Sequence, residues 1–212
     1  MPSRLPLNTV FDPIIHGFQF SNDDIEWEWG IGKGGIHGKN LCGGMVYAAK
    51  DNFFYRRTIP PTSAVPALRT PLNEYIYKRQ KSAHWGTVPK FLTGFSWFVD
   101  SVAGEFDKLR KELDLGVPMP LFLVKEGTMH GHHVLVIGCE SSPSLGSPHS
   151  AAPTLGNIII DVYDPNYPRE VTSITVKHSD KRFTLIGPGG DNRGNLKGFF
   201  VDGGYTPEQP YW

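Results

Sequence analysis

The stretch "HHVLVIGCE", His132 to Glu140, decides how this chain is read, because it is here that a helical period has given way to a period of two. Its β-branched and leucine residues, with no proline among them, predict a strand. Successive strand side chains leave opposite faces. His132, Val134, Val136 and Gly138 then share one face, and His133, Leu135, Ile137 and Cys139 share the other. On that alternation only one of the two adjacent histidines points at a given site, and Cys139 faces away from His132.

The same period holds around it. "MPLFLVKE" precedes it, and "NIIIDVYDP", "EVTSITVKH", "RFTLIG" and "LKGFFVDGG" follow, all reading as strands. "ESSPSLGSPHSAAPTLGN", Glu140 to Asn157, is rich in Ser, Pro, Gly and Ala and predicts an exposed loop between two strands. Toward the N-terminus the period is helical. Cys42, Met45/Val46, Ala49 and Phe53 fall on one helical face. "PLNEYIYKRQKSA" from Pro71 and a second run from Val88 to Gly116 predict further helices, with Gly116 as a C-cap. The proline-rich "TIPPTSAVPALRTP", Thr58 to Pro71, separates the first helix from the next. Helices first and an antiparallel sheet afterwards predict an α+β chain, and 212 residues suit a single domain, residues 1–212.

Composition narrows the function. With 21 basic and 21 acidic residues the net charge is zero, which gives no electrostatic reason to expect nucleic acid or an anionic membrane as partner. No apolar run approaches the ~20 residues that cross a bilayer. The N-terminal "MPSRLPLNTVFDP" lacks the apolar core of a signal peptide, so the expected location is cytoplasmic. Two cysteines are too few for a disulfide framework.

One of those cysteines sits where chemistry is expected. In "NLCGGMVYAA", Asn40 to Ala49, Cys42 stands where a glycine-rich loop becomes a helix. A helix N-terminus lowers a thiol's pKa, and its unpaired first-turn amides can hold an oxyanion. Gly43 and Gly44 leave space above the sulfur. A cysteine nucleophile needs a base, and His132 on the predicted strand supplies one. A third group must orient the imidazole by accepting its Nδ1–H. Asp164, at the end of "IIIDVYDP", is placed to do so, with Asp161 and Asn166 as neighbouring alternatives.

These segments also carry a resemblance. "HHVLVIG" resembles the His-x-Val-Leu-x-x-Gly strand of papain-type peptidases, with His132 at the catalytic place. "VYDPNYP" resembles the Asp-Pro strand end of C39-like peptidases, whose aspartate orients the histidine. With "FDPIIHGFQFSN", "LCGGMVYAA", "IPP" and "PLNEYI", they look like papain-like, C39-like proteins of bacteria and fungi over Phe11 to Pro168. The resemblance implies a papain-like fold, with N-terminal helices packed on an antiparallel β-sheet. It also implies a thiol nucleophile that acts on a peptide, amide or thioester as hydrolase or acyltransferase. Alternatives are a catalytically silent binding module of that fold and a biosynthetic cyclase with the same Cys-His-Asp site. Papain-type enzymes place an oxyanion-hole Gln six residues before the nucleophile, where this chain has Ile36. His37, Asn40 or the backbone at Gly43 would then donate, and Trp27 in "WEWG" would line the substrate groove.

Rival motifs are weaker. "GIGKGG", Gly30 to Gly35, has dinucleotide-turn spacing but no βαβ unit follows. His130 and His132 in "HGHH" fall short of the three ligands a metal needs, and no HExxH or CxxC supports them. No metal and no cofactor are therefore expected, and the partner is a peptide or small acyl substrate.

Overall fold

The computed structural model describes residues 7–29, 36–93, 102–126, 131–143, 155–177 and 182–212. All of "GIGKGG", His130 and the middle of the Ser/Pro-rich loop lie outside the described residues. The elements, in chain order, are β1 (Leu7–Asn8), α1 (Pro13–His16), β2 (Glu26–Trp29), β3 (Ile36–Lys39), α2 (Cys42–Phe54), α3 (Pro71–Thr93) and α4 (Val102–Asp114). The strands β4 (Met119–Lys125), β5 (Gly131–Pro143), β6 (Leu155–Tyr163), β7 (Val171–Lys177), β8 (Arg182–Ile186) and β9 (Asn192–Val201) complete them.

Each strand from β4 to β9 pairs antiparallel with the next, and β9 returns to pair with β4, Leu121 opposite Val201 and Leu123 opposite Phe199. The sheet is thus a closed six-stranded barrel, and closure removes the exposed edges an open sheet would carry. This overturns the expected papain-like arrangement of N-terminal helices packed on an antiparallel sheet. Two features produce closure. β5 is 13 residues long and runs to Pro143, through the start of the stretch read as a loop, so its first half pairs with β4 (Gly131–Val136) and its second with β6 (Leu135–Pro143). Register shifts occur in β4, in β5 and near the end of β8, and such bulges add the local twist that curls a sheet.

The barrel interior is apolar. Val134, Val136, Ile158, Ile160, Ile174 and Phe199 meet there, and α4 adds Phe106, Leu109 and Leu113 at helical spacing. α4 ends as the sequence predicts: Gly116 takes φ +73°, and the Val117 amide returns to the Glu112 carbonyl.

α2 is the element that builds the site. Every residue from Gly43 to Asn52 is buried, between α3 on one side and β5 on the other. The single apolar face expected from Cys42, Met45, Ala49 and Phe53 is therefore replaced by burial all round, and α2 is a central core helix. It fits because its first turn is small: a Cβ on Gly44 would lie 2.2 Å from the Ile76 carbonyl oxygen of α3. α3 itself runs unbroken from Pro71 to Thr93 and takes in the start of the run expected from Val88, whose later part is α4.

Candidate active site

Asn40 takes φ +70°, a left-handed conformation that Asn tolerates better than most residues. The turn drives Leu41 into the core at 1% exposure and starts α2 at Cys42. Leu41 offers no side-chain cap. The first-turn amides are instead divided: Met45 donates to the Leu41 carbonyl at 2.8 Å, and Gly44 donates to Gln80 Oε1 of α3 at 2.7 Å. Among the described residues the Cys42 and Gly43 amides have no partner. They are the donors that remain for a substrate oxygen at the positive end of the helix dipole.

His132 enters from the rim of the barrel. Its Nε2 lies 2.7 Å from Asp164 Oδ1, and Asp164 is fully buried at the end of β6. The Asn166 amide donates to the same oxygen at 2.9 Å, so the Asp-Pro-Asn turn holds the carboxylate in place. The expectation that Asp164 takes Nδ1–H is corrected: it takes the Nε2 side, which leaves Nδ1 for the sulfur. Asp161 does not join them. Its strand-partner position is Gly138, and burial raises its carboxyl.

Charge follows from this geometry. Burial alone would raise the Cys42 thiol, but hydrogen bonds and charge from His132 and His133 bring it well below its ordinary value. Burial alone would lower His132, but Asp164 and Cys42 carry it well above its ordinary value. Both shifts run in the direction that favours a thiolate beside an imidazolium.

His133 is the residue sequence reasoning missed. Its ring is 2% exposed and reaches the first turn of α2, where its Nδ1 lies 3.0 Å from the place a Gly43 Cβ would occupy. Both histidines therefore approach Cys42, one from the barrel rim and one from the face of β5 that carries Leu135 and Ile137 against the helices. Alternation excluded this because it treats a site as lying on one face, whereas a helix terminus at a strand end meets both. Alternation fails again at Cys139. Ile137 is an extra residue between the Val136 and Gly138 pairings, and Cys139 turns back into the barrel core beside Val134 and Val136. Burial raises the Cys139 thiol to about 11, far from a nucleophile's range.

Two recesses flank the pair. A groove of about 610 Å³ is lined by Trp27, Asn40, Leu41, Tyr77, Gln80 and Trp85, among others. Trp27 stacks on Tyr77 at 5.4 Å, and Trp85 is 79% exposed. A smaller cleft of about 230 Å³ is lined by His132, Asp164, Asn166, Tyr167, Arg193 and Asn195. Asn40 lines the first recess with its Oδ1 accepting from Asn22 Nδ2 at 3.3 Å. His37 lies in β3 opposite Glu28, and its side chain is outside what is described. Gln80 was not anticipated, yet it binds the first turn of the helix that Cys42 opens. Among the described residues no group of three His, Cys, Asp or Glu is placed to hold a metal ion, and no helix is long and apolar enough to cross a membrane. No family model, no curated protein and no solved structure matches the chain.

Proposed function

We propose that the protein is a cysteine-nucleophile hydrolase or acyltransferase that works through an acyl-enzyme on Cys42. The observation that carries this reading is the 2.7 Å contact of His132 Nε2 with buried Asp164, on the histidine whose other nitrogen serves a cysteine at a helix N-terminus. The Cys42 thiolate adds to an acyl carbonyl, and the oxygen that becomes negative is held by the Cys42 and Gly43 amides. His132, already protonated, gives its Nδ1 proton to the leaving nitrogen, oxygen or sulfur as the tetrahedral adduct collapses. Water or an acceptor then adds to the thioester while His132 takes its proton, and the sulfur departs. Asp164 keeps the ring oriented throughout.

In this reading the aromatic groove takes the acyl part and the polar cleft beside His132 takes the leaving group or the acceptor. A peptide, amide or thioester satisfies both. Both cysteines are free, which suits a reducing compartment, and we place the protein in the cytoplasm.

Intact-mass spectrometry on protein incubated with a panel of peptide, amide and thioester acyl donors tests this. The expected result is a mass increase equal to one acyl group, absent in Cys42→Ser and lost faster when an amine acceptor is added if the enzyme transfers. A panel that leaves the wild-type mass unchanged while small alkylating agents modify Cys42 readily would overturn the acyl-transfer reading.

A further inference from the structure

The site holds a second imidazole–carboxylate pair that the mechanism above does not use. His133 Nε2 lies 3.4 Å from Asp202 Oδ2, long for a hydrogen bond and short for a charge contact. Asp202 is fully buried at the end of β9, where its Oδ2 also accepts from Tyr47 OH at 2.7 Å and its Oδ1 from the Gly204 amide at 3.0 Å. His133 Nδ1 points the other way, to Gly43 and Cys42. The ring is thus sandwiched between a buried carboxylate and the half-buried Cys42, and its arrangement repeats that of His132, with Nε2 to an aspartate.

We propose that His133 is a second positioning residue for Cys42, an imidazolium held by Asp202 that stays charged while His132 alone moves the proton. Access separates the two rings. His132 is 22% exposed and lines the cleft, so it can reach a leaving group. His133, 2% exposed, has no path to one. Charge neutrality supplies the rest of the argument. Two anions, Asp202 and the thiolate, face His133, and a buried anion is costly without a cation against it. The other cations of this neighbourhood are engaged elsewhere: Lys50 lies over the Tyr205 ring at 4.1 Å and also feels the Asp202 charge, and Arg79, over the Tyr47 ring at 4.9 Å, is paired with Asp51 and Glu208. β4 contributes only the Phe122 ring, edge-on at 4.8 Å, and α3 contributes Gln80 and Ala83 at Gly43. Burial lowers a histidine, yet Asp202 and Cys42 together raise this one, in keeping with the geometry.

The consequence is a division of labour. The thiolate survives when His132 has given up its proton. When the acyl-enzyme breaks down, the C–S bond cleaves, its electron pair goes to sulfur, and the anion that forms is met by a cation already in place. That last part rests on the acyl-transfer reading; the ionisation does not.

The test is the pH dependence of iodoacetamide alkylation at Cys42 in wild type, His132→Ala, His133→Gln and the double variant. Each single variant is expected to keep a midpoint below the ordinary thiol value of about 8.5, and only the double variant to reach it. At pH 6.5 each single variant should label about tenfold more slowly than wild type, because a thiol raised to about one unit above the assay pH is only about one-tenth thiolate. A His132→Ala protein that labels like a free thiol would overturn the proposal, even if acyl adducts form on the wild type. Conversely, low-pH labelling in His132→Ala without any acyl adduct on the wild type sinks the acyl-transfer reading and leaves this one standing. His133 is buried and its replacement can unfold the chain, so side-chain ¹⁵N NMR of the wild type provides the second readout. Both His133 nitrogens should carry protons at pH 7, and a neutral ring there would refute the assignment.

Discussion

At the scale of single residues, two histidines, two aspartates and one sulfur share a few ångströms, and each member fixes the protonation of the next. Asp164 raises His132, so the alkaline limb of the rate profile should lie well above the ordinary histidine value. The depressed thiol places the acidic limb low, so the active form spans neutral pH. Asp164→Asn removes the charge and keeps the shape. The alkaline limb should then move down toward about 6.5, with acyl-enzyme formation slowed ~10²-fold or more, as read by the time course of the mass adduct. An unchanged alkaline limb would mean that Asp164 does not set the ring's proton. Much of this scale is legible in the sequence: Cys42 at a helix start, His132 in a strand and Asp164 at a strand end before proline all stand as read. His133 and Asp202 were not. The signal for them was present as a doubled histidine and as "VDGG", a second aspartate at a strand end, but nothing local says that β9 ends beside α2.

At the scale of elements, the site depends on how closely α2 and α3 approach. Gly44 stands under the Ile76 carbonyl, and Gly43 under Ala83 and His133. Gly44→Ala would gain about 1 kcal/mol of helix propensity. Against this, the clash is with backbone at 2.2 Å, which no side-chain rotation relieves, so α3 must shift. Overpacking of this kind costs about 1–3 kcal/mol, and here the upper end is expected. Urea denaturation should show a net loss of stability, and alkylation of Cys42 should slow at neutral pH as Gln80 leaves the Gly44 amide. A variant as stable as wild type would show that the helices are not in this contact. Sequence patterning located α2 but gave it one apolar face, whereas Gly43, Gly44, Lys50, Asp51 and Asn52, off that face, are buried as well.

At the scale of the whole molecule, the barrel and the helices are joined by β5 and by the last ten residues. Arg79, 1% exposed, pairs with Asp51 at 2.7 Å and with Glu208 at 2.8 Å, and Asp51 also accepts from Tyr75, Tyr205 and the Glu208 amide. Arg57 binds the carbonyls of Pro210 and Trp212. The C-terminal segment is thereby tied across α2 and α3, just beyond Asp202. Burial tends to raise Glu208, but its contacts with Lys78 and Arg79 hold it below the ordinary value. The unfolded chain therefore binds the extra proton, and the stabilisation from Glu208 is present above about pH 4.3 and lost as pH falls through the lower folded value. Glu208→Gln should lower Tm at pH 6, and the gap to wild type should close below pH 4. A gap independent of pH would mean that Glu208 acts by packing alone. The closure of the barrel was not legible in the sequence. Alternation identifies strands one at a time, whereas the β9–β4 pairing joins the two ends of the meander, and the composition of 140–157 hid the end of β5.

The central claim is that Cys42 rests as a thiolate against His132. The ultraviolet absorbance of the thiolate, taken as wild type minus Cys42→Ser across a pH titration, measures this directly. The signal should already be present at neutral pH. A signal that emerges only around pH 8.5, the value of an unassisted thiol, would contradict the account.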